Sequence, residues 1–122
     1  MIVEKNPGLV LQAAYFALQQ FPFLRFRFIG DGILKPHLEA LARRLGIDHA
    51  VDFTGWISSE DLPKYLADLD IVINPSLRGW SETFCISNIE IMSMGIPIIT
   101  FAVGGKNYPA TFLNLIDRVC VI

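Results

Sequence analysis

Two carboxylates, Glu82 and Glu90, offer the clearest chemistry in this chain of 122 residues. Between Glu82 and Lys106 the only other charged residue is Glu90, and its sequence neighbours are isoleucines and methionines. Burying an unpaired carboxylate is costly, so such a group is normally paired, kept in contact with water or turned toward a ligand. We therefore interpret the stretch from Ser81 to Pro97 as a site.

Alternating helices and strands must position these acids. Asn6-Pro7 predicts a capped helix start, and apolar residues at helical spacing predict the buried face of that helix. A second apolar stripe ends at Gly46, the expected left-handed cap, and a third helix starts near Ser58. The predicted helices are Asn6 to about Gln20 with Leu9, Ala13, Phe16 and Ala17 buried, Leu34 to Leu45, and one from Ser58–Asp61 with Leu62, Tyr65, Leu66 and Leu69 buried. The predicted strands are Leu24–Ile29, Val51–Gly55, Asp70–Asn74 and Pro97–Val103.

This alternation predicts an α/β fold, a three-layer Rossmann-like parallel sheet with helices on both faces. Ligands of such sheets bind at the carboxyl ends of the strands. The turns at that edge would be Gly30-Asp31-Gly32, Gly55-Trp56, Pro75-Ser76 and Gly104-Gly105. We take residues 1–122 as a single partial domain.

Composition excludes several classes of function. The net charge is -2 and Lys and Arg are scattered, so we expect no nucleic-acid partner. The apolar runs are too short to cross a bilayer, and the N-terminus lacks a secretory pattern, so a cytoplasmic location is expected. Cys85 and Cys120 have no metal-ligand spacing. We predict no metal site and no disulfide framework.

A set of short motifs occurs in a fixed order along the chain. They are Lys5-Asn6, Gly30-Asp31-Gly32, Phe53-Thr54-Gly55, Asp70 with Asn74-Pro75-Ser76, Glu82 and Glu90 separated by seven residues, Met94-Gly95-Ile96-Pro97, and Val103-Gly104-Gly105. This set resembles the C-terminal, donor-binding half of a family 4 retaining glycosyltransferase of the GT-B fold. The resemblance covers roughly Lys5 to Gly105, and Lys106 to Ile122 matches nothing in that pattern.

The resemblance implies that the chain binds a nucleotide-diphosphate sugar without a metal. Glu82 would be the catalytic-site acid that holds the hydroxyls of the donor sugar, and Glu90 would hold those of the ribose. Lys5 and the amides of the helix after Glu82 would bind the diphosphate. The remaining donor-binding residues implied are Gly30, Gly32, Trp56, Ile57, Thr83, Phe84 and Cys85.

The chain departs from the family pattern in two ways. Thr83, Phe84 and Cys85 stand where the family commonly has glycine, an aromatic and glycine or proline. The family's domain also opens with a central strand that ends in glycine and arginine, whereas only Met1-Ile2-Val3 precedes Lys5. The fold should then be incomplete at both ends, with the acceptor-binding N-terminal domain and the last helices missing. The central place would be filled by Met1–Val3 or by Arg118–Ile122, from the same chain or from a second copy in a homo-oligomer.

The sequence predicts the donor-binding part of a hexosyltransferase, and we expect the isolated chain to have little or no activity. In the full-length enzyme, membrane association is left open. Two alternatives remain at this point: a half-domain like that of a sugar-nucleotide epimerase, and a non-catalytic α/β association module. For single residues, Lys5 could equally be a solvated lysine, and Trp56 a core or lid aromatic. The donor base, the sugar and the acceptor are not specified by the sequence.

Overall fold

A parallel sheet is the middle layer of the computed structural model, which describes residues 1, 5–75, 86–100 and 118–121. Within these residues the sheet has five strands, in the order β2-β1-β5-β3-β4. They are β1 (Arg25–Ile29), β2 (Val51–Gly55), β3 (Ile71–Asn74), β4 (Ile98–Thr100) and β5 (Arg118–Val121). The helices are α1 (Pro7–Gln20), α2 (Lys35–Leu45), α3 (Leu62–Leu66) and α4 (Ile86–Ser93), and a 3-10 turn covers Asp48–Ala50. The predicted α/β class is confirmed.

Strand β5 occupies the centre of the sheet. It pairs in parallel with β1, where Phe26 aligns with Val119, and with β3, where Val72 aligns with Cys120. No other described strand joins the β1–β2 half to the β3–β4 half. Of the candidates for the central place, the structure therefore selects Arg118–Val121 of the same chain.

The two faces of the sheet carry separate helices, as the alternation of strand side chains requires. Phe26 and Phe28 of β1 pack with α1 and α2 in the larger apolar cluster. Val72 of β3 points to the opposite face, where it packs with Leu66 of α3 and Ile91 of α4. This arrangement confirms the three layers and leaves the ends of the strands open for a site.

Helix α1 has the predicted length but not the predicted buried face. Its buried residues include Val10, Leu11, Ala14 and Leu18, whereas Leu9, Ala13 and Phe16 are exposed and Ala17 is only partly buried. Apolar residues lie all around this helix, so periodicity alone could not choose between neighbouring stripes. The predicted side-chain cap is also wrong, because Asn6 is in the left-handed region and its side chain makes no capping bond.

Helix α2 agrees closely with its prediction. Leu38 and Ala42 are buried, Gly46 takes the left-handed conformation with φ of 70°, and its N–H donates to the Arg43 carbonyl at 3.0 Å. Helix α3 buries Leu66 and partly buries Leu62, but Tyr65 is exposed, contrary to the prediction. Tyr65 instead lies beside Arg27 on the surface, with the guanidinium carbon 6.0 Å from the ring centroid.

Candidate functional site

A cavity opens where the central strands end. Its volume is about 280 Å³, and it is lined by Met1, Lys5, Pro7, Phe28, Ile29, Gly30, Asp31 and Val121. From β1 the chain proceeds outward to β2, and from β3 it proceeds outward in the other direction to β4. The cavity thus lies at the switch point of a parallel sheet, the usual position of a ligand in this architecture.

The two glycine turns after β1 and β2 lie side by side at this edge. The Gly30 N–H donates to the Gly55 carbonyl at 2.8 Å, which locks the end of β1 to the end of β2. The Asp31 carboxylate accepts from the Gly32 N–H at 2.7 Å. Gly30, Gly32 and Gly55 all have positive φ, a conformation that glycine adopts without strain, and Gly30 lines the cavity.

Gly32 also permits a close approach of two backbone segments. A Cβ at this position would lie 2.6 Å from the Met1 carbonyl oxygen, closer than real Cβ atoms come. The same Met1 carbonyl accepts from the Leu34 N–H at 3.2 Å. Of the two predicted glycines, Gly30 lines the cavity and Gly32 holds Met1 against its rim.

Trp56 and Ile57 follow Gly55 directly, on the β2 side of the edge. The Trp56 side chain is 76% exposed and Ile57 is partly buried, so neither is a core residue. The alternative that Trp56 is a core aromatic is therefore wrong. The exposed indole of Trp56, at the carboxyl edge of the sheet, provides a flat apolar surface on which a planar group can stack.

Two lysines supply positive charge at this edge. Lys5 was predicted as a site residue and lines the cavity. Lys35, at the start of α2, was not predicted, and its Nζ lies 3.2 Å from the place where a Cβ on Gly55 would stand. Its position after the Gly30-Asp31-Gly32 turn was the only available signal in the sequence.

Glu90 lies on α4 and is exposed, as are its neighbours Ile89 and Met92. Of the three expected outcomes for this carboxylate, pairing, contact with water or contact with a ligand, its exposure corresponds to contact with water. An exposed carboxylate can still accept a hydrogen bond from a sugar hydroxyl, so the role of Glu90 stays a prediction. Glu82, Thr83, Phe84 and Cys85 lie outside the described residues.

A buried pair of amides that the sequence reasoning missed ties α4 to the end of β3. The Asn74 side-chain N–H donates to the side-chain carbonyl of Asn88 at 2.8 Å, and both residues are only 2% exposed. A buried polar group must be hydrogen-bonded, so this pair fixes the first half of α4 at the carboxyl edge of the sheet. Asn74 had been noted as part of a motif, but nothing in the spacing indicated Asn88.

A second cavity, of about 230 Å³, lies at the opposite, amino edge beside Arg25, Arg27, His49 and Asp52. Its main cation is already engaged, because Arg27 donates to Asp68 at 2.9 Å and lies 3.4 Å from Asp52. Partial burial works to lower the pKa of Arg27, but the hydrogen bond and charge of Asp68, helped by Asp52, outweigh it and raise the pKa. Arg27 is thus already engaged with two acids, and we take the carboxyl edge, where the glycine turns and Lys5 meet, as the candidate site.

Among the described residues, no group of three or more His, Cys, Asp or Glu side chains is arranged to hold a metal ion. Among the helices described, none has the length and hydrophobicity needed to span a bilayer.

Comparison with known proteins gives consistent matches. The family model described as glycosyl transferases group 1 matches residues 1–112. A D-inositol 3-phosphate glycosyltransferase of Streptomyces coelicolor is 34% identical over 110 residues, which cover 83% of this chain and 23% of the relative. An uncharacterised glycosyltransferase of Methanocaldococcus jannaschii is 36% identical over 76 residues (62% and 19%), and the 2-deoxystreptamine glucosyltransferase of Streptomyces kanamyceticus is 30% identical over 80 residues (66% and 20%). The chain spans less than a quarter of the length of these relatives.

Proposed function

We propose that this chain, which belongs to the glycosyl transferases group 1 family, is the donor-binding part of a family 4 retaining hexosyltransferase. The observation that carries the proposal is the cavity at the switch point of the sheet, lined by Lys5, Gly30 and the end of β5. A nucleotide-diphosphate sugar needs cations for its phosphates and a flat surface for its base. Lys5 and the exposed Trp56 provide these two features at the carboxyl edge.

In the proposed complex each part of the donor meets a different part of this edge. The diphosphate lies near Lys5, where the ammonium pairs with its negative charge. The base lies against the backbone from Gly55 to Ile57, with the Trp56 ring available for stacking. Glu90 accepts from the ribose hydroxyls and Glu82 from those of the sugar. The amides of Thr83, Phe84 and Cys85 complete the diphosphate site.

The proposed reaction breaks the bond between the anomeric carbon and the diphosphate oxygen. An acceptor hydroxyl attacks the anomeric carbon from the face that the diphosphate leaves. Its oxygen forms the new glycosidic bond and its proton passes to the departing diphosphate. The residues of this chain hold the donor and stabilise the negative charge that develops on the leaving diphosphate. We propose that Lys5 supplies this stabilisation with no metal, so binding should be the same in the presence of a chelator.

The acceptor is expected to bind to a separate N-terminal domain. Two domains must close over donor and acceptor before transfer, because the reacting groups have to be held together and away from water. We therefore expect the isolated 122-residue chain to bind donor but to transfer no sugar. Efficient transfer to an acceptor by the purified chain alone would contradict this part of the proposal.

Calorimetric titration with UDP, GDP and ADP tests the binding function directly. At least one of them should bind, and Glu90→Ala should weaken binding of that nucleotide by about tenfold, since a charged hydrogen bond contributes ~1.5 kcal/mol or more. Asp48→Ala is the matched control, because Asp48 is an exposed acid at the amino edge, just before β2. If no nucleotide binds to the wild type, or if both variants behave alike, the assignment is wrong. A chain that self-associates without binding nucleotide would favour the association module.

A further inference from the structure

Lys35 contacts both glycine turns at the carboxyl edge, one through its backbone and the other through its ammonium group. Its backbone N–H donates to the Gly32 carbonyl at 3.0 Å, and its side chain extends to Gly55 at the end of β2. The side chain is only 24% exposed, so it lies along the protein surface rather than extending into solvent. This position is fixed by both turns at once.

The described surroundings of Lys35 leave most of its hydrogen-bonding capacity unused. Its ion pair there is with Glu39, one turn along α2, at 4.0 Å, which is longer than a hydrogen bond. The nearby Gly55 carbonyl already accepts from the Gly30 N–H at 2.8 Å and from the Thr54 hydroxyl at 3.1 Å. A lysine ammonium has three donors and no acceptor, so donors remain for a ligand.

The position of Lys35 points to the base of the nucleotide rather than to its phosphates. Lys5 and the cavity lie on the β5 side of Gly30, whereas Lys35 lies on the β2 side, beside Gly55 and the exposed Trp56. In the proposed complex the phosphates lie in the cavity and the nucleoside lies on the β2 side. A nucleotide bound in this way places its base at Lys35.

We infer that Lys35 selects donor nucleotides whose base presents a carbonyl oxygen, uracil or guanine, against adenine. This inference rests on the proposed function. Guanine carries the acceptor oxygen O6 where adenine carries an amino group, and uracil carries the acceptor oxygen O4 on its pyrimidine ring. An ammonium group donates to the oxygen, but it faces another donor when the base is adenine.

Titration of the 122-residue chain with UDP, GDP and ADP, before and after Lys35→Met, tests the inference. The wild type should bind UDP or GDP at least about tenfold more tightly than ADP, the size of one charge-assisted hydrogen bond. Lys35→Met should lower affinity for the favoured nucleotide by about tenfold and leave ADP unchanged. Lys35→Arg should restore part of the preference. Arg44→Met, an exposed position late in the same helix, should change neither affinity.

Three results would overturn the inference. A wild type that binds ADP as tightly as UDP and GDP contradicts the selectivity but leaves the proposed function standing. An equal loss of affinity for all three nucleotides in Lys35→Met shows that Lys35 contacts phosphate. If Lys35→Met changes no affinity and its thermal unfolding matches the wild type, Lys35 contacts neither the base nor the phosphates. Absence of any nucleotide binding instead contradicts the proposed function itself.

Discussion

Gly55 is the residue on which the geometry of the two turns most depends. It is buried with φ of 79°, a conformation that costs an L-residue about 1–2 kcal/mol, and a Cβ there would displace the Lys35 ammonium. We expect Gly55→Ala to lower the free energy of unfolding by about that amount and to weaken nucleotide binding. Chemical denaturation and calorimetry measure the two effects.

Gly8 provides the matched control for Gly55. It lies in α1 with ordinary backbone angles, and nothing is within 4 Å of a Cβ built on it. Gly8→Ala should therefore raise stability by about 0.5–1 kcal/mol through helix propensity and leave binding unchanged. Equal destabilisation by the two substitutions would show that the backbone of Gly55 is not special.

At the level of single residues, local composition indicated the glycine turns, whereas Lys5 was indicated only by the family resemblance and its role stays a prediction. The sequence did not decide whether Glu90 is buried, since the apolar neighbours of a helical residue point in several directions and do not determine its own exposure. Asn88 and Lys35 escaped attention because their roles come from tertiary contacts, with Asn74 and with Gly55.

The join between β3 and α4 depends on the buried Asn74–Asn88 hydrogen bond. Each single substitution to Ala removes this buried hydrogen bond, at a cost of about 1–3 kcal/mol. The double variant should lose less than the sum of the single variants, with a coupling of about 1 kcal/mol in a double-mutant cycle measured by denaturation. If the two single changes in the free energy of unfolding simply add in the double variant, the two side chains stabilise the fold independently.

Strand β5 is the element whose disruption should lower the stability of the fold most. Val121 is 3% exposed, belongs to the larger apolar cluster and lines the candidate site. Val121→Asp places a carboxylate in that cluster and should cost more than ~3 kcal/mol, a large share of a domain's usual ~5–15 kcal/mol. Circular dichroism during thermal unfolding measures this loss.

Phe16→Asp is the control for that experiment, because it introduces the same charge on α1 at a residue that is 68% exposed. Its effect should be within about 0.5 kcal/mol. The contrast also tests the corrected orientation of α1, which the sequence assigned to the wrong face. If Phe16→Asp proves as damaging as Val121→Asp, the original assignment of the buried face would be favoured.

For the molecule as a whole, the sequence predicted the class of fold but not which strand lies at the centre of the sheet. The alternation of apolar strands with amphipathic segments predicted three layers, and the stripe from Leu38 to Ala42 placed α2 correctly. It did not decide which segment fills the centre of the sheet, because the pairing of β5 with β1 and β3 joins residues about 50 to 95 positions apart. Such long-range pairing has no local signature.

The carboxyl edge formed by β1, β5 and β2 is the proposed binding site of a nucleotide sugar. Amide chemical shifts of the isotope-labelled chain, recorded while the best-binding nucleotide diphosphate is added, locate the bound nucleotide. The largest shifts should fall at Lys5, Gly30–Gly32 and Gly55–Ile57. Shifts concentrated instead around Arg25, His49 and Asp52 at the amino edge would contradict it.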